Sequence, residues 1–273
     1  MGRDNHIKSL IKAISVLKTF APGALELTPA EIAQKLKMPK SSVYRVLATL
    51  SYGGFIEQNG TTNKYKIGPA LYALGSLYLD TTDVIKAAEP VVKTLNDLTG
   101  EALNVGILDN GNMILIMKEE SKHAFRFSVH VGSSMPAYSS AIGKALLSEL
   151  DDSEIDRLYP HEALVPVTDK TIKTKTELKA ELAEIRKSGI AYAREESYEG
   201  VIGIGTPIRN ASRKAIAAVS ISIPTFRLGQ NMSDRIETAI RMAGSLISYR
   251  LGYQDAKEPV RTTDEIRSLW QNT

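Results

Sequence analysis

Residues 28–55 read TPAEIAQKLKMPKSSVYRVLATLSYGGF, two short helices joined by a tight turn. Thr28, Pro29 and Glu31 supply an N-cap, a first-turn proline and a capping-box carboxylate, so a helix starts here and turns Ile32, Ala33 and Leu36 inward. A second helix begins near Pro39. Its Val43, Leu47 and Leu50 recur at i, i+4 and i+7, which buries one face and leaves Ser41, Ser42, Arg45 and Thr49 outside. With Lys40 and Tyr44, that outer face is small, polar and basic. Short hydroxyls permit close approach to a major groove, and Arg45 can donate to guanine or phosphate. Taken alone, the segment is equally compatible with an ordinary solvated helix pair.

The flanking residues decide between these readings. Upstream, Ile7, Leu10, Ile14 and Leu17 mark a helix over about 8–20, ended by Pro22 and Gly23, which should form the third wall of the core. Downstream, 55–58 and 64–67 read as strands joined by Asn59-Gly60-Thr61-Thr62-Asn63, with Lys64 and Lys66 beside the turn. Three helices followed by a basic hairpin make a winged helix-turn-helix over 1–68. The wing lysine Lys64 is placed to hold the nucleic-acid backbone beside the recognition helix.

Charge supports that division. The 273 residues carry a formal +3, yet residues 1–66 hold ten Lys or Arg against four Asp or Glu, a balance of +6 that leaves −3 elsewhere. A segregated positive segment suits a polyanion such as double-stranded DNA. With 43% hydrophobic and 24% charged residues, the chain is long enough for two cored domains. It has no cysteine, which excludes disulfides and thiolate sites. His6, His123, His130 and His161 lack metal-ligand spacing, so neither metal nor cofactor is expected. No apolar run reaches membrane-spanning length and the opening MGRDNHIKSL lacks a secretion signal's apolar core, so a cytoplasmic location is expected.

Over 69–83 a linker helix carries Leu71, Leu74, Leu77 and Tyr78, an apolar stripe that either packs on its own domain or meets a partner subunit. A further helix follows through Ile85, Ala88, Val92 and Leu95, with Gly100 beyond its end. The period then changes to two. Leu103, Val105 and Ile107 alternate, Asn110-Gly111 signals a hairpin, and 113–117 with Phe125, Phe127, Val129 and Val131 continue an antiparallel sheet. Helices at 140–150 and 176–187, strands at 190–194, 201–208 and 215–223, and a long helix at 233–251 complete an α+β domain over 84–253. Residues 254–273 read as a polar tail.

Two stretches imitate catalytic motifs. Gly200-Val-Ile-Gly203-Ile-Gly205 is misspaced for a dinucleotide loop and sits in a strand pattern, where glycines mark close approach to a neighbour or ligand. Ser140 and Lys144 are one residue too far apart for a serine acylase pair. No nucleophile, base and orienting residue assemble, so an enzyme is not expected; the rival to a regulator is an enzyme or stand-alone sensor with an incidental basic N-terminus.

The order of these elements, the LTPAEIAQKLKMPKSSVYRVLATLSYGGFIEQ and KYKIGPALYALG segments, and then HVGSSMPAYSSAIGKALLS, EESYEGVIGIGTPI and AAVSISIPTFRL together resemble the IclR family of bacterial transcriptional regulators. The resemblance runs from about residue 7 to 253. It implies a GAF-like effector-binding domain behind the winged helix, operator DNA as partner, and homodimers that pair into tetramers. It also implies pocket positions at Met135, Ala141, Ile142, Ala193, Val201, Gly203, Ser220 and Ser222. Family members that bind small oxo-acids resemble a pattern with Gly, a carboxylate and Cys where this chain has Ala141, Ala193 and Gly203. Those departures, and the apolar Met135, Ile142 and Val201, point to a bulkier effector, an aromatic or medium-chain carboxylic acid. Ser220 and Ser222 alternate with Val219 and Ile221, so both hydroxyls face one side of a strand; with the backbone amides at Ala141 and Ile142 they could hold the acid. The alternative is a small core with no ligand.

Overall fold

The computed structural model describes residues 6–20, 24–80, 83–124, 129–254 and 260–272. They fall into two compact units, 1–82 and 83–273.

The first unit holds α1 (Lys8–Leu17), α2 (Pro29–Leu36), α3 (Lys40–Tyr52), β1 (Ile56–Gln58), β2 (Tyr65–Ile67) and α4 (Pro69–Asp80). The capping box forms as its residues require. Thr28 N donates to Glu31 Oε2 at 2.7 Å and Glu31 N to Thr28 Oγ1 at 3.2 Å, which satisfies two of the donors a helix start leaves open. Val43, Leu47 and Leu50 of α3 are buried against Ile32, Ala33, Ile56 and Tyr65. The wing strands pair antiparallel, Ile56 opposite Ile67 and Gln58 opposite Tyr65, and Leu27 bonds to Tyr65 in both directions.

Helix α1 differs from its sequence reading. Ile7, Leu10 and Ile14 are 63%, 57% and 53% exposed, whereas Val16 is fully buried and Ala13, Leu17 and Phe20 pack beside it. A helix apolar on most sides offers two stripes, and a three-helix core accepts one. The stripe ending at Phe20 wins, and the other is left facing outward.

The second unit begins with α5 (Asp83–Thr99), β3 (Ala102–Asp109), β4 (Asn112–Glu119) and β5 (Ser134–Pro136). It continues through α6 (Ala141–Leu147), α7 (Asp152–Leu158), α8 (Lys175–Ser188), β6 (Ala191–Arg194), β7 (Val201–Arg209), β8 (Ala215–Pro224), α9 (Gln230–Arg250) and α10 (Thr263–Asn272). The six strands form one antiparallel sheet in the order β5-β4-β3-β8-β7-β6. Asn110 and Gly111 both take positive φ, as a tight hairpin between β3 and β4 demands. Strand alternation sorts the faces. Leu103, Val105, Ile204, Val219 and Ile221 point to α5 and α9 in the larger core, while Ala218 joins Ile142, Leu146, Leu178 and Leu182 under α6 and α8.

Two sequence expectations need correction here. The third strand of the first meander is β5 at 134–136; Val129 and Val131 lie in the loop before it, and Phe125 and Phe127 lie outside the described residues. A helix at 152–158 went unread although Asp151 and Glu154 form a full capping box.

The larger correction concerns 254–273, which is not simply a polar tail. Thr262 and Glu265 cap α10, whose Ile266 is 0% exposed in the core of α5 and α9, with Val260 and Trp270 packed beside it. The Arg235 guanidinium lies 4.4 Å from the Trp270 ring centroid and also donates to its carbonyl. A few apolar residues among many charges carry this helix, so composition hides it. Ile266→Ala is expected to lower the stability of this unit by about 2–4 kcal/mol in urea unfolding, the cost of a buried cavity; a loss under about 0.5 kcal/mol would mean that α10 does not dock.

Candidate functional site

On the α6 side of the sheet, β3, β7 and β8 form the floor of a cavity of about 70 Å³. All eight positions named from the sequence line it. Met135 comes from β5, Ala141 and Ile142 from the first turn of α6, Ala193 from β6, Val201 and Gly203 from β7, and Ser220 and Ser222 from β8. Asn104, Met113, Leu115, Val129, Ser140, Ser197 and Tyr198 complete the wall.

The glycines explain the shape. A Cβ at Gly203 would sit 3.2 Å from Ala141 Cβ, and one at Gly205 would meet Val219 O at 3.1 Å and Ser220 Cβ at 3.2 Å. Inside α6, a Cβ at Gly143 would fall 2.1 Å from Ala137 O. Gly203 and Gly205 let the helix lie against the strand, and Gly143 lets the turn at Ala137 fold back onto α6. Much of the room that Gly203 was expected to leave for a ligand is therefore taken by Ala141. Ser140 starts the helix by accepting from Gly143 N at 3.0 Å.

The floor carries the polarity. Ser220 and Ser222 do face one side, and Asn104, directly across the ladder from Ser220, donates through Nδ2 to Ser222 Oγ at 3.1 Å. Ser220 is 4% exposed and its hydroxyl has no hydrogen-bond partner among the described residues. That hydroxyl lies open in the wall of the cavity, so a group that enters can give it the partner the fold does not. Among the described residues, no Lys, Arg, Asp or Glu lines the cavity. Burial raises the Tyr198 phenol above its ordinary range, so at neutral pH it stays protonated at the mouth.

Asn104, Ser140, Ser197 and Tyr198 escaped sequence reading. For Asn104 the signal was present, a carboxamide in mid-strand between Leu103 and Val105. Lys144 was weighed only as half of a false catalytic pair. It is fully buried, its ammonium is committed to Glu196 and Glu181, and Ser140 is a helix cap, so the two do not form a nucleophile and base.

In the first unit, Lys40, Ser41, Tyr44 and Arg45 are exposed along α3 and Ser42 is half-buried. Ser9 and Lys12 of α1 share a groove with Ser42, Arg45 and Thr49. Lys64 is half-buried at the root of the wing. Hydrogen bonds from Thr28 hold the Glu31 carboxyl below the usual carboxylate range, and the charge of Lys64 adds to that effect. The wing turn is folded by Asn59 Oδ1, which accepts from Thr61 N and Thr62 N.

Residues 9–60 match the IclR helix-turn-helix domain and residues 76–249 match the C-terminal domain of the bacterial transcriptional regulator IclR. The chain belongs to the IclR family. It is similar to the HTH-type transcriptional regulator KdgR of Escherichia coli K12, 30% identical over 91% of this chain and 94% of that one. The transcriptional repressor IclR of the same organism is 29% identical over 81% of this chain and 82% of its own. An IclR homolog from Microbacterium hydrocarbonoxydans, solved in complex with 4-hydroxybenzoate, superposes with a TM-score of 0.74 at 22% identity, covering 89% and 98% of the two chains. The protein is thus an α+β transcriptional regulator of the IclR family, with a DNA-binding helix-turn-helix domain and a C-terminal effector-binding domain. Its relatives are regulators rather than enzymes. Among the described residues no helix is long and apolar enough to cross a membrane, and no group of three His, Asp or Glu could hold a metal.

Proposed function

We propose that this regulator is a repressor of a catabolic operon, acting in the cytoplasm and governed by an aromatic or medium-chain carboxylic acid. The observation that carries the effector reading is the unpartnered hydroxyl of Ser220 in a largely apolar cavity. The acid end meets Ser220, Ser222 and the backbone amides at Ala141 and Ile142. With no cation among the described residues of the wall, hydroxyl and amide donors replace the water that the carboxylate loses. Met135, Ile142 and Val201 receive the apolar body, and Ala193 and Gly203 add no charge. This apolar lining suits a ring better than a two- or three-carbon oxo-acid. The 4-hydroxybenzoate bound by the Microbacterium homolog is a ligand of this class, and the name of the Escherichia coli repressor supports the sign of control.

At the DNA end, Arg45 and Ser42 read base edges in the major groove, Lys40, Ser41 and Tyr44 fit the helix to the groove walls, and Lys64 holds the backbone from the wing. Two such units make a homodimer, or a tetramer of two dimers. The outward stripes of α1 (Ile7, Leu10, Ile14) and α4 (Leu74, Leu77) are apolar faces a partner copy would cover. Leu71 is half-buried on the same helix, and the Tyr78 side chain lies outside the described residues.

Three experiments separate these assignments. Arg45→Ala should cost about 1–3 kcal/mol at its cognate base pair, whereas Lys64→Ala should weaken specific and random DNA alike and reduce the salt slope by about one; equal losses on both DNAs for Arg45→Ala would remove Arg45 from base reading. Sedimentation at micromolar concentration should show at least a dimer, which Leu74→Glu with Leu77→Glu reduces to monomer, and the operator half-sites should lie about 34–36 Å or a multiple apart. A parent protein that sediments as a monomer with and without DNA rules out the dimer. In calorimetry, benzoate or 4-hydroxybenzoate should bind and glyoxylate and pyruvate should not, and Ser220→Ala with Ser222→Ala should weaken binding by about tenfold or more, the loss of charge-assisted hydrogen bonds. Binding of glyoxylate alone, or unchanged affinity in the double variant, is the result that defeats the effector assignment.

A further inference from the structure

Between β6 and β7 the chain crosses the cavity mouth as Glu195-Glu196-Ser197-Tyr198-Glu199-Gly200, and Ser197 and Tyr198 from this loop line the cavity. A surface loop at a binding site is ordinarily held by a few exposed contacts. This one is fastened to a charge inside the domain. Lys144, in the middle of α6, is 0% exposed, and its Nζ donates to Glu196 Oε2 at 2.8 Å, Glu196 Oε1 at 2.9 Å and Glu181 Oε1 of α8 at 2.6 Å.

Glu196 is itself buried, and Arg194 N donates to its Oε1 at 3.0 Å. Thr171 Oγ1 donates to the Glu196 carbonyl and Thr168 Oγ1 to that of Glu195, both at 2.7 Å. Ser197 Oγ donates to Ser139 O at 2.5 Å, just before the cap of α6. Glu195 takes a positive φ of 63°, unusual for a residue with a side chain, and is held by Lys170 and Gly200 N. Of all these partners, only Lys144 brings a positive charge to Glu196. Burial pushes the Glu196 carboxyl above the usual carboxylate range, and the ammonium pulls against that shift.

We propose that Lys144 is a positioning residue of the effector cavity, whose buried ammonium, shared between Glu196 and Glu181, holds the 195–200 loop with Ser197 and Tyr198 across the mouth. The physical reason is an asymmetry of buried ion pairs. An intact pair adds little net stability, whereas a buried carboxylate that has lost its cation is strongly disfavoured and moves toward water. Glu196 can reach water only by carrying its loop outward. Glu181, already a third exposed, can do so alone. One lysine therefore ties the first turns of α6, which supply Ala141 and Ile142, to the loop that faces them across the cavity. This clamp rests on the effector reading for its purpose, but its test uses ligand-free protein, so absence of an effector and failure of the clamp are distinguishable.

Hydrogen exchange with mass spectrometry on the full chain reads the loop against β8 as an internal reference. In Lys144→Met, peptides over 195–200 should exchange about tenfold faster while those over 215–224 do not change, because only the loop follows the orphaned carboxylate. In the double variant Lys144→Met, Glu196→Met no charge remains to be solvated, and loop exchange should return to within about threefold of the parent. Unchanged loop exchange in Lys144→Met, equal acceleration of loop and β8, or a double variant as fast as the single one would each overturn the proposal. If Lys144→Met does not fold, Lys144→Gln decides alone. It keeps a polar side chain in the buried site but removes the cation, and faster exchange confined to 195–200 supports the clamp, whereas no change or a change shared with β8 refutes it.

Discussion

The contact of α6 with the sheet is the constraint on which the effector domain depends. A helix lies as close to a strand as the facing side chains allow, and here Gly203 and Gly205 on β7 remove the carbons that would hold α6 away. The approach fixes the first turn of α6 over β7 and β8. It brings Ala141 and Ile142 opposite Ser220 and Ser222, with the cavity between them. The seven residues of α6 are all buried, so the helix is positioned by packing on every side rather than by its own short hydrogen-bond ladder.

That geometry decides what the cavity can hold. Strand period two places apolar Val219 and Ile221 in the larger core and leaves Ser220 and Ser222 on the opposite face, with Asn104 beside them. A fully apolar floor would close into a core, and a charged one would demand its own counter-ion. Three uncharged polar side chains in an apolar surround instead define orientation without a counter-ion, and Ser220 keeps its hydroxyl open to what enters.

How far the fold could be read from sequence varied with the range of the forces involved. The capping box of α2, the spacing of Val43, Leu47 and Leu50, and Asn110-Gly111 are local signals, and the structure places their elements where those residues put them. Periodicity could not choose between the two apolar stripes of α1, because the choice belongs to the packing of three helices. It could not recover α10 either, whose Ile266 finds its core on the neighbouring α9 and on α5, far back in the chain. The cavity positions came from family resemblance, and no spacing rule joins residues of β5, α6, β6, β7 and β8. Lys144 looked like part of a failed catalytic motif because its meaning lies in Glu196, 52 residues away.

The two sides of the cavity differ in a way that matters for regulation. An effector alters DNA binding only to the extent that it binds two states of the protein with different free energies; equal affinity for both shifts nothing, however tight the binding. The floor is laced on both sides by ladder hydrogen bonds, β3 and β7 flanking β8, and so presents nearly the same Ser220 and Ser222 to any ligand in any state. The loop wall is different, because side-chain contacts to Lys144, Thr168, Thr171 and Ser139 hold it, and such contacts can be exchanged one by one. The floor can therefore supply affinity that is equal in any state, whereas a difference in affinity of the size a switch needs, typically about 1–3 kcal/mol, can arise only from contacts that change, as those of the wall can.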